Sequence, residues 1–240
     1  MTHTLTYKLF SERSILITWP ARISETILND MLCFKHKIEN SISSFLYATN
    51  AYHTLLVHFN SDFVFDDFVK QLKMLYKDKG KDLKTEPSRL WRIPVCYDTC
   101  FGIDLEAMAL DKKMTVKSIV ETHCATPYTV YFIGFLPGFL YLGGLDNILA
   151  TPRKASPRLE VKKGAVAIGG MQTGVYPNAS PGGWHIIGNS PIHFFNPLLD
   201  TPCFARPGDK IEFYPISLKT HQDISVLVKE QVYVLDYKLL

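Results

Sequence analysis

Long apolar runs are missing from this sequence. No stretch approaches the roughly 18 apolar residues that a membrane span needs, and the opening MTHTLTYKLF has no basic segment leading into an apolar core. Neither secretion nor membrane insertion is expected. A dominant charge is missing too: 26 Lys and Arg stand against 23 acidic residues, a formal net charge of +3, which is too weak a field to point to nucleic acid. Basic residues gather only at Lys77–Lys84, interleaved with Asp78 and Asp82 around Gly80, which reads as a solvated helix end entering a linker.

The five cysteines (Cys33, Cys96, Cys100, Cys124, Cys203) form no CxxC pair, and their odd number and wide spacing suit a reducing cytosol. The eight histidines stand singly, so no metal site is expected. HExxH, GxSxG and a helix-opening GxGxxG are all absent, which removes the zinc-protease, α/β-hydrolase and dinucleotide readings. Gly169–Gly174 has the glycine spacing of a Walker A loop, but Val175 and Tyr176 stand where its Lys and Ser/Thr belong.

Glycine is scarce early. Only Gly80 and Gly102 fall in the first 133 residues, whereas eleven of the 14 glycines lie between Gly134 and Gly188. Two structural regimes follow, within a chain whose 47% apolar content supplies a full core. In the first, alternation at Leu5–Phe10 and Ile15–Trp19 predicts a hairpin, and Ile23, Ile27, Met31 and Phe34 fall on one helix face. Strands at Ile42–Thr49 and Thr54–Phe59 follow. A second helix is expected next, capped by Asp62, striped by Phe65, Phe68, Leu72 and Leu75, and ended by Gly80. This order suits a ferredoxin-like α/β sandwich over residues 1–85, closed by a strand near Leu90–Val95, with Lys77–Pro87 as linker.

The second regime, residues 86–240, opens with helices near Asp104–Leu110 and Thr115–His123, each preceded or begun by a residue able to cap it. Short runs at Tyr128–Phe135, Ala165–Ile168, Trp184–Gly188, Ile192–Phe195 and Lys210–Tyr214, punctuated by Pro-Gly and Gly-Gly turns, predict a barrel or sandwich. The class is therefore α+β.

Residues 133–188 concentrate turns, aromatics and polar residues beyond what core packing demands. Gly134-Phe135-Leu136-Pro137-Gly138-Phe139, Tyr141-Leu142-Gly143-Gly144-Leu145, Ala150-Thr151-Pro152-Arg153, Gln172-Thr173-Gly174-Val175-Tyr176-Pro177 and Ser180-Pro181-Gly182-Gly183-Trp184 stand in order. With these motifs the chain resembles the 5-oxoprolinase B subunits, a family that includes an inhibitor of a sporulation histidine kinase and is also labelled allophanate hydrolase subunit 1. Weaker similarity runs through Ile93–Tyr97, Phe101-Gly102 and Pro207-Gly208-Asp209.

The resemblance implies a cyclophilin-like β-barrel after the N-terminal domain. It also implies that the chain is one of three kinds of 5-oxoprolinase subunit, the B type, which joins a C type and, with an A type, hydrolyses 5-oxoproline to glutamate using ATP. Alone it is expected to be inactive. Two other readings stay open: a regulator that docks on a histidine kinase, and a carboxyltransferase half-site of a biotin-dependent system resembling urea carboxylase. Prolyl isomerase activity is not expected, because fold does not determine chemistry.

Arg153 and Arg158, framed by prolines, are candidate carboxylate holders, since a guanidinium can make two parallel hydrogen bonds to a carboxylate, or else ordinary surface arginines. Gln172, Thr173 and Tyr176 offer an amide, a hydroxyl and a phenol to a lactam or ureido group. Phe135, with Phe139 and Tyr141, presents rings, and Ser180 and Trp184 offer a polar contact beside an aromatic wall, or else a tight turn over a core indole. His123, at a helix end, is the general-base candidate, with Arg158 as its catalytic companion.

Overall fold

The structure, a computed structural model, describes residues 3–78 and 87–240. The expected linker and the Gly80 helix end fall largely outside these residues. The chain divides into two compact units, Met1–Glu86 and Pro87–Leu240.

In the first unit, β1 (Thr6–Ser11), β2 (Ser14–Thr18), β3 (Phe45–Asn50) and β4 (Thr54–Phe59) form an antiparallel sheet in the order β1-β2-β4-β3, with α1 (Glu25–Ser41) and α2 (Phe65–Lys77) completing the unit. Alternation along β2 and β4 turns Ile15, Ile17, Leu55, Val57 and Phe59 into a core shared with Ile27, Met31, Phe34 and Ile38 of α1 and Val69 and Leu72 of α2. Two boundaries differ from expectation. Asp62 does not cap α2, because its carboxylate pairs with Arg13 at 2.7 Å. Ile42 is the C-cap of α1 and not strand. The Leu90–Val95 strand does not close this sheet, because it pairs in the second unit.

That unit contains β5 (Arg89–Val95), α3 (Leu105–Lys112), α4 (Val116–Cys124), β6 (Tyr128–Ile133), β7 (Leu140–Gly143), β8 (Arg158–Val161), β9 (Ala165–Gly169), β10 (Gln172–Val175), β11 (Ser180–Gly182), β12 (His185–Asn189), β13 (Lys210–Pro215), α5 (Leu218–Lys229) and β14 (Tyr237–Leu239). Eight strands run in the order β12-β9-β10-β7-β6-β13-β5-β14, and β8 pairs separately with β11. The fold is mixed α/β. The continuous ladder is open, with β12 and β14 as its edges, so the closed barrel expected from sequence is not formed as such. β14 covers only Arg89–Trp91 of β5, and past its reach Cys96 makes an isolated bridge to Asn189 at the end of β12. Ile192–Phe195 is irregular and not a strand, and α5 leaves no mark in the turn pattern from which this unit was read.

The loop before β13 is fixed by Asp209, which is fully buried and accepts hydrogen bonds from Arg89 N, Trp91 Nε1 and Arg206 N at 2.9–3.1 Å. Most important for the site is β9, buried on both faces. Val166 and Ile168 face the main core, while the small Ala165 and Ala167 face a separate cluster of Phe139, Tyr176, Trp184 and Ile186. Period-2 alternation thus leaves room on one face for large rings.

Candidate functional site

These rings build a cleft. Phe139, almost wholly buried, stands edge-on to Tyr176 (centroids 5.3 Å), Trp184 (5.5 Å) and Phe135 (5.6 Å), and tilts against Tyr141 at 5.0 Å. Edge-to-face contact sets the positive rim of one ring against the negative face of the next, about 0.5–1.5 kcal/mol per pair beyond burial. The indole needs a glycine beneath it: a Cβ on Gly169 would lie 2.5 Å from Trp184. The resulting cleft, about 260 Å³, is lined by Phe135, Phe139, Tyr141, Arg153, Lys154, Pro157, Tyr176, Pro181–Gly183 and Trp184. Burial pushes the Tyr141 and Tyr176 phenols up, opposed at Tyr141 by the charge of Arg153 and at Tyr176 by a backbone hydrogen bond from Trp184 and then by Arg153, so both stay protonated at neutral pH.

The segment Thr151–Arg158 forms a strap along the cleft. It is tied by the Thr151–Gly170 bridge, by Lys154 N donating to Gly183 O at 2.8 Å, and by the His185 ring 3.0 Å from Pro152 O. Two of its cations are already committed. Asp104, 4% exposed, lies 2.7 Å from Arg158 Nη2 and 3.0 Å from Lys154 Nζ, and also accepts the Ile186 N–H at 2.7 Å. Burial works to raise the Asp104 pKa, but these hydrogen bonds and charges outweigh it and hold the carboxyl below its ordinary range. Asp104 occupies the N-cap position of α3 without capping it, because its oxygens are used here. Thr115 does cap α4, accepting from Ser118 N at 3.0 Å. Arg153 is different: exposed, with its guanidinium 5.7 Å over the Trp184 ring, it has no carboxylate partner among the described residues.

Of the residues singled out from sequence, Phe135, Arg153, Tyr176 and Trp184 meet at this cleft. Arg158 lines instead a smaller cleft of about 120 Å³ with Cys100, Phe101 and Glu160. Gln172, half-buried, begins β10 opposite Gly169, and Ser180 directs its hydroxyl to Pro181 O at 3.2 Å. His123 and Thr173 lie in the core. Both are 0% exposed, with His123 Nε2 2.8 Å from Thr173 Oγ1 and Nδ1 2.8 Å from the Tyr97 hydroxyl. Burial alone brings the His123 pKa down to about 3. The enclosed imidazole is neutral at ordinary pH, and His123 is not among the residues that line the cleft. Sequence reasoning overlooked Lys154 and the carboxylate of Asp104. Their pairing joins positions fifty residues apart and leaves no local pattern.

The glycine spacing of Gly169–Gly174 does not build a phosphate loop. Gly169–Gly174 is the β9–β10 hairpin, with Gly170 at φ +65° in its turn, and Lys154 and Arg158 are both engaged by Asp104. These residues do not fit a nucleotide. No helix among the described residues is long and apolar enough to cross a membrane.

Residues 5–205 match the family described as carboxyltransferase domain, subdomain C and D. Among curated relatives, the chain is 49% identical over 149 residues to the 5-oxoprolinase B subunit of Escherichia coli O157:H7, covering 62% of this chain and 67% of that one. It is 44% identical over 133 residues to the 5-oxoprolinase B subunit of Bacillus subtilis, covering 55% of each, so the match spans about half of that relative's length. Among solved structures, the urea amidolyase of K. lactis superposes with a TM-score of 0.81 at 18% identity, over 99% of this chain and 16% of that one, a likeness of fold.

Proposed function

The chain belongs to the family of 5-oxoprolinase B subunits, within the wider carboxyltransferase-domain family, and from that premise we propose that it is the B subunit of an ATP-dependent 5-oxoprolinase in the cytoplasm. It works there with the A and C subunits of that enzyme and is inactive alone. The carrying observation is Arg153, a guanidinium over Trp184 at the rim of an aromatic cleft, with no carboxylate partner among the described residues. A small flat ring bearing a carboxylate is the complement of that arrangement: the guanidinium takes the carboxylate through two parallel hydrogen bonds, and the rings of Trp184 and Phe139 wall the apolar edge. Tyr176, almost wholly buried, completes the cleft wall.

ATP is assigned to the partner subunits. The reacting groups are assigned there as well, since His123 is enclosed. The cleft is then a half-site that a partner completes. In fold terms, we read the first unit as ferredoxin-like with β1 in the outer strand position, and the second as a cyclophilin-like sheet.

The test is ATP-dependent release of glutamate from 5-oxoproline by this chain mixed with candidate A and C subunits, each omitted in turn. Activity should vanish when this chain is left out. Activity indifferent to its presence overturns the proposal in favour of the histidine-kinase regulator or the biotin-dependent carboxyltransferase half-site.

A further inference from the structure

Phe135 combines three properties that core packing does not explain. Its backbone lies in the left-handed region, at φ +63°, where a Cβ crowds the chain and glycine is the ordinary occupant. The residue is 62% exposed, so burial does not repay the conformation. Its ring borders the cleft and, among the described residues, meets other aromatics through one edge contact, to Phe139.

The surrounding turn enforces the geometry. Gly134 N donates to Phe139 O at 3.1 Å, Leu136 N to Gly134 O at 2.7 Å, and Phe139 N to Leu136 O at 3.0 Å. Gly138, at φ +84°, packs so closely that a Cβ there would lie 2.6 Å from Phe195 Cβ. The turn therefore cannot relax to give Phe135 an ordinary φ without losing these bonds. A glycine at 135 would serve the fold better than the phenylalanine that stands there.

We propose that Phe135 is a specificity-determining lip of the cleft, retained against the interest of the fold so that its ring covers a ligand whose acid group is held by Arg153. The ligand class is a small planar ring carrying one carboxylate, with an apolar or amide face for the ring to cover. This rests on reading the cleft as the ligand site. Strain kept at an exposed position is a mark of sites where geometry serves something outside the chain.

The experiment compares Phe135→Gly, Phe135→Ala and Phe135→Tyr with the unaltered chain. Thermal melting of the chain alone reads the fold, and KM and kcat for 5-oxoproline in the complex reconstituted with its A and C subunits read the ligand. Both Gly and Ala remove the ring, but only Gly relieves the backbone. Phe135→Gly should melt about 2–4 °C above Phe135→Ala and no lower than the unaltered chain. Both should raise KM about tenfold, the loss of one good ring contact, with kcat changed far less, and Phe135→Tyr should restore KM. Equal melting of the Gly and Ala variants, or an unchanged KM in both, overturns the proposal. If the unaltered complex does not hydrolyse 5-oxoproline at all, the functional reading fails and takes this inference with it, an outcome distinct from a working complex indifferent to Phe135.

Discussion

Arg158 Nη2 lies 2.7 Å from Asp104 Oδ1, so the arginine that the sequence offers to a ligand carboxylate is occupied by one of the chain's own. Asp104 also takes Lys154 and the Ile186 N–H, so one buried carboxylate fixes the strap to α3 and β12 together. Of the strap's cations, Arg153 is left to face the cleft.

Asp104→Asn tests this arrangement. The amide oxygen can still accept from Ile186 N, while the charge that pairs Lys154 and Arg158 is gone. Unpairing buried charges is costly, and because both cations are partly exposed the loss should fall near about 1–3 kcal/mol, measured by urea unfolding. The carboxyl's pKa is held below its ordinary range in the folded chain. Its stabilisation is therefore complete above the unfolded value and is lost as pH falls through the folded one, and the pH dependence of the Asn variant should lack that component.

His123 gives a second pH signature at higher pH. Unfolded, it takes a proton below its ordinary value of 6.5, whereas folded it resists until about 3. The unfolded state binds the extra proton, so stability is unaffected above 6.5 and falls at about 1.4 kcal/mol per pH unit between those values. His123→Gln should melt lower at about pH 7.5, because packing and hydrogen bonds to Tyr97 and Thr173 are disturbed, yet show a shallower decline between about pH 6 and 4. Equal slopes would mean that the histidine titrates freely in the native chain.

Arg153 should matter to the ligand and little to the fold. Arg153→Met should leave the melting temperature within about 1 °C, since the side chain is exposed and without an ion-pair partner among the described residues. It should raise KM for 5-oxoproline in the reconstituted complex about tenfold or more, and Arg153→Lys should recover only part of the loss, because an ammonium cannot pair in parallel with a carboxylate. Trp184 emission should change in Arg153→Met when Trp19 and Trp91 are replaced by Phe.

Gly169→Ala should be among the most damaging small substitutions. Its Cβ would enter the Trp184 ring at 2.5 Å, and a rigid indole packed on Phe139 and Tyr141 cannot swing away cheaply. The expected cost is about 1–3 kcal/mol by chemical denaturation, with loss of the cleft's aromatic order visible in near-ultraviolet circular dichroism.

The local regimes are legible along the chain. Apolar spacing marks α1 and α2, alternation marks β2 and β4, and the glycine-rich stretch marks where turns and rings gather. Its motifs also carry the family, and they name Phe135, Arg153, Tyr176 and Trp184 together. The remainder depends on long-range contacts. Tertiary structure sent β5 into the second unit's sheet, where β13 and β14 supply partners that no local pattern identifies. It buried His123 and Thr173, whose polar side chains satisfy one another across fifty residues, and gave Arg158 to Asp104 across fifty-four. Period and turn chemistry are properties of neighbouring residues and can be read along the chain. Whether a charge faces a ligand or an internal partner depends on which distant segments share a dielectric environment, and only the folded chain brings those segments together.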